Sequence, residues 1–352
     1  MSDVPDLLVA GGGPAGLATA LFAARAGLDV QVWEPREGVI DKACGEGLMP
    51  GAVAGLARLG VDPSGRDLLG IRYVADGRAA TADFRAGPGR GVRRTALHDA
   101  LRRAVDAAGI EVVQRSVRRV TQDDQAVVVD GVRVRHLVAA DGLHSPVRRA
   151  LGLDAPQRGQ VRFGQRQHHG TAPWSSHVEV HWSRDAEAYV TPVADDVVGV
   201  AVLSRRKGPY LDRLAGFPEL AERLQGAPAV STIRGAGPLR QGARRRVAGR
   251  VLLVGDAAGY VDALTGEGVA LGLAQAEAAV AALVAGAPGR YERDWIRLTR
   301  RYRWLTGALL AGTRPAPLRR AVVPVARTLP PVFRAAVDAL ARPVAQERGH
   351  GR

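Results

Sequence analysis

Short apolar runs separated by glycine-rich turns open the chain and predict a mixed α/β fold. A buried parallel strand is expected over Leu7–Ala10, a helix over 17–26 that ends at Gly27, and a second strand over Val30–Trp33. A strand, a helix and a strand in this order are typical of a doubly wound parallel sheet.

Alternation of apolar and polar residues farther along predicts a second sheet of mainly antiparallel strands. Helices are also predicted over 52–59, 94–109 and 209–225, and two more begin at Pro146 and Val269. The predicted strands lie at 71–74, 81–84, 111–120, 126–129, 132–135, 137–140, throughout 160–203, and at 233–239 and 251–254. We therefore expect an antiparallel domain that is inserted into the parallel-sheet domain.

The turn after the first strand carries a dinucleotide-binding fingerprint. Gly11, Gly13 and Gly16 have the G-x-G-x-x-G spacing. The first glycine permits the tight turn, the second lets the backbone approach a pyrophosphate, and the third allows close helix–strand packing. Glu34 ends the second strand, where a carboxylate meets an adenosine ribose. A glutamate there favours a free ribose hydroxyl, and hence FAD or NAD rather than NADP.

Two later strand ends repeat this arrangement. Asp141 follows the apolar run 137–140, and Asp256 follows 251–254. Ligands of doubly wound sheets bind at the carboxyl ends of the strands, so Asp256 is expected to bind polyol hydroxyls. The amides of 266–269, at the start of the next helix, are expected to stabilise negative charge on a reduced flavin. Three such signals favour cofactor binding over a purely structural role.

Residues 39–50 gather side-chain types that the chain otherwise avoids. Lys42 is one of two lysines, Cys44 is the only cysteine, and Met49 is the only methionine after the first residue. Gly45 indicates a loop that approaches something closely. The loop follows the ribose-binding strand, so we expect it to run along the cofactor. The alternative for Cys44 is the role of a small buried apolar side chain.

Composition excludes several classes of protein. The formal net charge is +14, but the basic residues are scattered and aromatic residues make up 5%, so nucleic-acid binding is not expected. No apolar stretch of about 18 residues predicts a transmembrane helix, and no basic region precedes the first apolar run as in a signal peptide. One cysteine excludes an internal disulfide, and no cysteine–histidine cluster predicts a metal site. We expect a cytoplasmic protein.

The C-terminal segment has a composition of its own. After Arg290 the pattern predicts arginine-rich helices, broken at Pro315, Pro317, Pro324, Pro330 and Pro331. A helical cap on the second domain is the first interpretation. The alternative is a basic amphipathic segment in peripheral contact with a membrane. Residues 346–352 are expected to be disordered.

Three motifs together resemble those of a known superfamily. The motifs are GGGPAG at 11–16, AADG at 139–142 and GDAAGYVDALTGEG at 255–268, and the resemblance covers about residues 6–285. The chain is similar to the FAD-dependent aromatic hydroxylases typified by para-hydroxybenzoate hydroxylase, and to their relatives the geranylgeranyl reductases and flavin halogenases. YVTPVADDVVGVAVL at 189–203 looks like the strand pair of the hydroxylases' substrate domain. CGEG at 44–47 and TGEG at 265–268 are similar to the geranylgeranyl reductases, whereas the halogenase signature W-x-W-x-I-P is absent.

The resemblance implies a domain organisation and a cofactor site. A Rossmann-like FAD-binding domain would comprise 1–70, 94–158 and 246–285, an antiparallel substrate domain 71–93 and 159–245, and a helical segment 286–352. Arg94 would begin the R-x-x-L helix that touches the cofactor, and Lys42 would stand where the family often has an arginine near the flavin phosphates. The residues expected to bind FAD are Gly11, Gly13, Pro14, Ala15, Gly16, Glu34, Pro35, Arg36, Lys42, Cys44, Gly45, Arg94, Val117, Asp141, Gly142, Gly255, Asp256, Gly266, Glu267, Gly268 and Val269.

The resemblance also implies an activity. The first expectation is a monooxygenase in which NADH or NADPH reduces the flavin and oxygen forms a C4a-hydroperoxide that hydroxylates an aromatic or polyketide-like molecule. The alternative is a reductase of isoprenoid double bonds, with Cys44 close to the flavin ring. A non-catalytic flavin-binding redox sensor is a third interpretation. Cys44, His181 and Tyr189 are the catalytic candidates, although the last two also suit ordinary sheet positions.

Overall fold

The computed structural model describes residues 4–157 and 159–342. Its strands are β1 (Leu7–Ala10), β2 (Val30–Trp33), β3 (Gly47–Leu48), β4 (Arg66–Leu68), β5 (Gly70–Ala75), β6 (Arg78–Asp83), β7 (Gly89–Gly91), β8 (Glu111–Val113), β9 (Val120–Gln122), β10 (Val127–Val129), β11 (Val132–Val134), β12 (His136–Ala139), β13 (Phe163–Gly170), β14 (His177–Trp182), β15 (Ala186–Pro192), β16 (Val197–Ser204), β17 (Arg234–Ala236), β18 (Gln241–Gly242), β19 (Val247–Ala248), β20 (Val251–Leu253) and β21 (Gly259–Tyr260). Its α-helices are α1 (Pro14–Arg25), α2 (Pro50–Arg58), α3 (Arg94–Ala107), α4 (Pro146–Ala150), α5 (Tyr210–Leu214), α6 (Pro218–Arg223), α7 (Gly268–Val284), α8 (Arg290–Gly312), α9 (Ala316–Thr328) and α10 (Pro330–Ala341).

A six-stranded sheet with the order β19-β20-β12-β1-β2-β8 forms one half of the fold. Its strands from β20 to β8 are parallel, and β19 is an antiparallel edge. Every residue of β1 and β20 is buried, which explains their uninterrupted apolar sequence. The core around them combines side chains of α1, α3 and α7 with valines of the small sheet β9–β11. Helix α1 packs against α7 and α3, and its small residues allow these close contacts.

A seven-stranded sheet, named here the substrate sheet, has the order β17-β13-β16-β15-β14-β5-β6. All its neighbours are antiparallel except β14 and β5. One face carries Tyr73, Trp182 and Tyr189 and forms an apolar cluster with residues of α9 and α10. The opposite face carries apolar residues of β15 and β16 and packs against α5 and α6. The predicted combination of a parallel sheet, an antiparallel sheet and C-terminal helices is confirmed.

Some predicted elements differ in the structure. The strand predicted over 111–120 is split, because the Asp130 carboxylate accepts hydrogen bonds from the amides of Arg118 and Arg119 (2.9 and 2.8 Å) between β8 and β9. The helix predicted over 209–225 is divided into α5 and α6, since Pro218 begins a new helix.

The C-terminal segment also departs from its prediction. Pro317 lies in the first turn of α9, where its missing N–H leaves no helical bond unmade, and Pro324 lies inside the same helix. Burial of Val323 and Ala326 in the cluster on the substrate sheet keeps α9 continuous.

None of the helices between residues 4 and 342 is both long and apolar enough to span a membrane. The predicted disordered segment 346–352 lies outside the described residues.

Candidate active site

The turn between β1 and α1 is shaped by its glycines. Gly11 has a φ of 107°, and a Cβ there would lie 2.5 Å from the carbonyl oxygen of Ala140. A Cβ on Gly16 would lie 1.8 Å from the Gly11 carbonyl oxygen. A Cβ on Gly13, in contrast, would meet no described atom within 4 Å. Helix α1 begins at Pro14 without a side-chain cap, so the amides of its first turn are free for an anion in this open space.

Glu34 is buried at the end of β2, beside this turn. Its carboxylate accepts hydrogen bonds from the Gly12 amide (2.7 Å) and from the Arg36 amide and Nε (3.0 and 2.7 Å). Burial raises the pKa of Glu34, but the hydrogen bonds from Arg36 and Gly12 outweigh burial and leave that pKa below its ordinary value. An ionised acceptor is thus held at the strand end, while Pro35 and Arg36 lie exposed beyond it.

Positive charge lines the cleft in front of these residues. Lys42 is exposed to the cleft, and its Nζ lies 3.3 Å from the position of a Cβ on Gly142. Protein atoms around its ammonium group shield that group partly from water, and this desolvation, together with the nearby Arg36 and Arg94, lowers the pKa of Lys42, while Asp256 opposes that shift. Arg94 is buried, and its Nη1 has no hydrogen-bond partner among the described residues. An anion in the cleft would relieve this repulsion.

Two polar side chains, Arg148 and Gln275, hydrogen-bond to the backbone of the turn after β20. Arg148 donates to the carbonyl oxygens of Ala257 and Leu143 (3.0 and 3.1 Å), and the Gln275 side chain accepts from the Gly255 amide (2.8 Å). Asp256 is thereby presented to the cleft. Asp141 accepts from the Val147 amide (3.0 Å), and its Oδ1 has no partner among the described residues. The carboxyl ends of β1, β2, β12 and β20 therefore meet at one cleft.

The CGEG and TGEG loops face each other. Gly266 has a φ of 67°, and a Cβ there would lie 3.4 Å from the Met49 methyl carbon and 3.8 Å from the Gly47 carbonyl oxygen. Gly268 and Val269 follow at the start of α7. The Glu267 side chain is buried near α8, 3.5 Å from Arg301, and burial raises its pKa to about 7. The backbone of the TGEG loop thus borders the cleft.

The three catalytic candidates occupy different surroundings. Cys44 is half-buried in the CGEG loop, and its Sγ accepts a hydrogen bond from the Glu46 amide (3.4 Å). Tyr189 belongs to the apolar cluster on the substrate sheet, together with Met49 and Leu264 from the loops, and its hydroxyl donates to the Leu264 carbonyl oxygen (3.0 Å). His181 is one residue out of step with Val180, the residue that pairs with Tyr189 across the strands. It therefore lies on the opposite face.

Sequence reasoning missed several residues that support the site. His98 of α3 accepts from the Ile40 amide at Nδ1 (3.3 Å) and therefore donates from Nε2 to the Gly12 carbonyl oxygen (3.0 Å). Burial, followed by the charge of Arg94, lowers its pKa to about 4, so the ring is neutral. Arg148 and Glu46 were also missed. Glu46 lies within the CGEG motif, but its partner His168 is 122 positions away, so the motif alone does not reveal the contact.

Val117 is the predicted cofactor residue that follows β8, the strand next to β2 in the parallel sheet. It lies in the loop between β8 and β9 and packs, half-buried, against the core of the parallel sheet. In the same loop, the Arg115 guanidinium stacks 4.2 Å above the Trp33 ring at the end of β2. No group of three or more histidine, cysteine or acidic side chains within residues 4–157 and 159–342 is arranged to hold a metal ion.

Comparison with known proteins identifies the class to which this fold and cleft belong. The family model described as FAD binding domain matches residues 5–296. A menaquinone reductase of Mycobacterium tuberculosis is 32% identical over 309 residues, which cover 78% of this chain and 75% of the relative. Digeranylgeranylglycerophospholipid reductase 1 of Methanothermobacter thermautotrophicus is 28% identical, with 76% and 74% covered. A solved flavoprotein/dehydrogenase from Cytophaga hutchinsonii has the same fold, with a TM-score of 0.82, 18% identity, and 96% and 92% covered.

The chain belongs to the FAD binding domain family. It is an FAD-dependent oxidoreductase, and its resemblance to the hydroxylase and geranylgeranyl reductase superfamily is confirmed.

Proposed function

We propose that this protein binds FAD in the cleft described above and reduces a carbon–carbon double bond in the prenyl chain of a lipid. The observation that carries this proposal is the apolar cluster that runs from Met49 and Leu264, next to the CGEG and TGEG loops, to α9 and α10. A long hydrocarbon chain binds among apolar side chains, which this cluster would supply next to the reacting atoms. The names of both relatives denote lipids with prenyl chains, which favours this alternative over hydroxylation.

The residues of the cleft suit each part of FAD. Glu34 is an ionised acceptor for the adenosine ribose, and the amides of the first turn of α1 are donors for the pyrophosphate. Asp256 is an acceptor for the ribityl hydroxyls, and Arg94 and Lys42 compensate negative charge. When bound, FAD supplies a hydride for the double bond, and NADH or NADPH is the proposed source of electrons.

The protein has two further tasks in this reaction. Addition to a double bond needs a proton as well as a hydride, and Cys44 is the proposed donor. Burial raises the pKa of Cys44, so its thiol keeps the proton at neutral pH. The second task is the exclusion of water from the reacting atoms, for which the side chains of Met49, Leu264 and Tyr189 are suited.

The C-terminal helices suit a contact with anionic lipid. Residues 296–342 contain ten arginines and a single acidic residue, Asp338. On the same helices Trp304 is 69% exposed, Leu318 55% and Val332 61%. Exposed apolar side chains among arginines are the composition of a helix that lies in a membrane interface. We propose that α9 and α10 bring the substrate sheet to the surface that holds the lipid.

Aromatic hydroxylation is the second candidate. It is supported by the β15–β16 hairpin, which contains the segment 189–203 that resembles the hydroxylases, and by the buried Tyr189 hydroxyl beside the TGEG loop. The two reactions differ in their co-reactant, because hydroxylation consumes oxygen and reduction of a double bond does not.

One experiment separates these candidates. FAD-loaded protein is reduced chemically without oxygen and mixed with a prenylated quinone or a geranylgeranyl lipid in anionic vesicles, and products are analysed by mass. A product that stays two mass units heavier after any quinol has been re-oxidised to the quinone supports the proposal, and Cys44→Ala should slow its formation. A product sixteen units heavier, formed from a phenol with NADPH and oxygen while the prenyl lipids stay unchanged, would refute it in favour of hydroxylation.

A further inference from the structure

A buried cluster of charged side chains lies between the CGEG loop and the substrate sheet, and the proposed reaction does not explain it. Glu46, Arg166 and His168 are each at most 3% exposed. Glu46 belongs to the loop, whereas Arg166 and His168 belong to β13. Buried charges are retained only where their partners are well placed, so the geometry of this cluster needs an explanation.

Glu46 holds an unfavourable backbone conformation. Its φ is 60°, in the left-handed region that glycine adopts at little cost, and it stands between Gly45 and Gly47. A third glycine at this position would remove the strain. The strain persists because the surrounding contacts hold the residue in place, which is a pattern found at functional sites.

The carboxylate of Glu46 has a donor on each oxygen. Oε1 accepts from the Arg94 amide at the start of α3 (2.7 Å), and Oε2 pairs with His168 Nε2 (2.7 Å). Arg166 adds an ion pair, with its Nε 3.7 Å from Oε1. One side chain therefore connects the loop, the helix that carries Arg94 and the strand β13.

The hydrogen-bond partners of His168 determine which of its ring nitrogens donates and which accepts. Arg166 Nη1 lies 3.1 Å from His168 Nδ1 and can only donate, so Nδ1 accepts. The proton of the neutral ring is then on Nε2 and is donated to Glu46. The Ser231 hydroxyl oxygen lies 2.9 Å from Nδ1 and accepts a hydrogen bond from the His168 amide (3.0 Å). Arg166 also contacts Asp41 and the Lys42 carbonyl oxygen (3.3 Å), so both ends of the loop are tied to β13.

The peptide groups around Cys44 are held by the same residue and its neighbours. The Glu46 amide donates to Cys44 Sγ (3.4 Å), and the Glu46 carbonyl oxygen accepts from Val92 (2.8 Å). The Thr191 hydroxyl of β15 donates to the Gly45 carbonyl oxygen (2.7 Å). A change in the Glu46 side chain would thus move the thiol and the Gly45 backbone together.

We propose that Glu46 is a positioning residue, which holds the Cys44–Gly45 turn against the flavin through its contacts with His168 and Arg166 of the substrate sheet. Its position relative to the flavin rests on the FAD site proposed above. The position of the thiol depends only on contacts within this chain. The position of the thiol and the position of the turn relative to the flavin are therefore tested separately.

The test uses Cys44 as its own reporter, because it is the only cysteine. The rate of modification of the thiol by a neutral thiol reagent is measured in the FAD-free protein, and FAD affinity and the flavin absorbance spectrum are measured after loading. Glu46→Gln removes the charge, whereas Glu46→Gly removes the side chain and also the backbone strain. Glu179→Gln is the matched control, since Glu179 is also buried and pairs with His181 (3.0 Å) on the other face of the sheet.

Both Glu46 variants should raise the modification rate about tenfold or more, because the loss of a buried charged hydrogen bond frees the turn. They should also weaken FAD binding and shift the flavin spectrum. His168→Leu should also raise the modification rate and weaken FAD binding, whereas His168→Gln should change both quantities less. Glu179→Gln should change neither of them. A modification rate in Glu46→Gly within twofold of native, in a folded protein, would overturn the proposal. If the native protein takes up no FAD, the proposed cofactor site fails, and the thiol measurement still tests the role of Glu46.

Discussion

Gly13→Ala should weaken FAD binding without destabilising the fold. The space next to this glycine contains no atom of the described residues and is the proposed position of the FAD pyrophosphate. The position has a φ of −75° that alanine accepts, and no described atom lies within 4 Å of the new methyl group. The apo protein should therefore melt within a few degrees of native. The methyl group would hold the pyrophosphate away from the first turn of α1. The loss of two charged hydrogen bonds of about 1.5–3 kcal/mol each weakens FAD binding by roughly 10²- to 10⁴-fold.

The assay is titration of apo protein with FAD, followed by quenching of flavin fluorescence at fixed ionic strength. Gly289→Ala is the matched control, since Gly289 also precedes a helix and has no described atom near its Cβ position, but lies away from the cleft. Gly16→Ala tests the opposite case. Its methyl group would lie 1.8 Å from the Gly11 carbonyl oxygen, so the fold itself should lose about 1–3 kcal/mol. FAD affinity of Gly13→Ala within threefold of native would show that the cofactor is elsewhere.

Three further predictions concern the C-terminal helices and the TGEG loop. Arg319→Met should destabilise the protein by about 1–3 kcal/mol in chemical denaturation, because the buried Glu187 loses its contact with Arg319 (2.6 Å) and keeps its ion pair with Arg162. The exposed Arg334→Met should change stability by less than about 0.5 kcal/mol. The pKa of Glu267 rises on folding from 4.5 to about 7. The free energy of unfolding of the apo protein should therefore fall by about 3 kcal/mol as pH rises from 4 to 8, because the folded state holds this proton more tightly. Glu267→Gln should abolish this part of the pH dependence. Arg320→Glu combined with Arg327→Glu should abolish sedimentation with anionic vesicles and leave FAD affinity unchanged; undiminished sedimentation would contradict the proposed membrane contact.

The secondary-structure predictions were accurate where a local signal sets the backbone. The bounds of β1 and β2 agree with the sequence pattern. Gly27 follows the end of α1 and has a φ of 78°, as expected of a glycine that terminates a helix. The errors occurred where distant residues compete with local preference. The Asp130 side chain takes up the amides of Arg118 and Arg119, and burial on the substrate sheet keeps α9 helical through Pro324.

The candidate site shows the same division. The glycine spacing and the acidic strand ends were recognisable because a dinucleotide imposes them within short segments, and the structure brings Gly13, Glu34, Asp141 and Asp256 to one cleft. His98, which donates to the carbonyl oxygen of Gly12 across 86 positions, was not recognisable. The candidate His181 lies on the far face of the sheet from Tyr189, which the alternation of a strand decides only once its register is known.

The sequence by itself determined the fold class, the cofactor family and the loops at the cleft, because these follow from backbone requirements that a few adjacent residues must meet. Tertiary structure alone decided which side chains support those loops. Glu46 and His168 are 122 positions apart, and nothing in the CGEG motif indicates that its glutamate pairs with a histidine of the substrate sheet. Burial then makes their hydrogen bond obligatory, since an unpaired carboxylate at that depth would be costly. Contacts of this kind depend on the whole chain, and no short pattern encodes them.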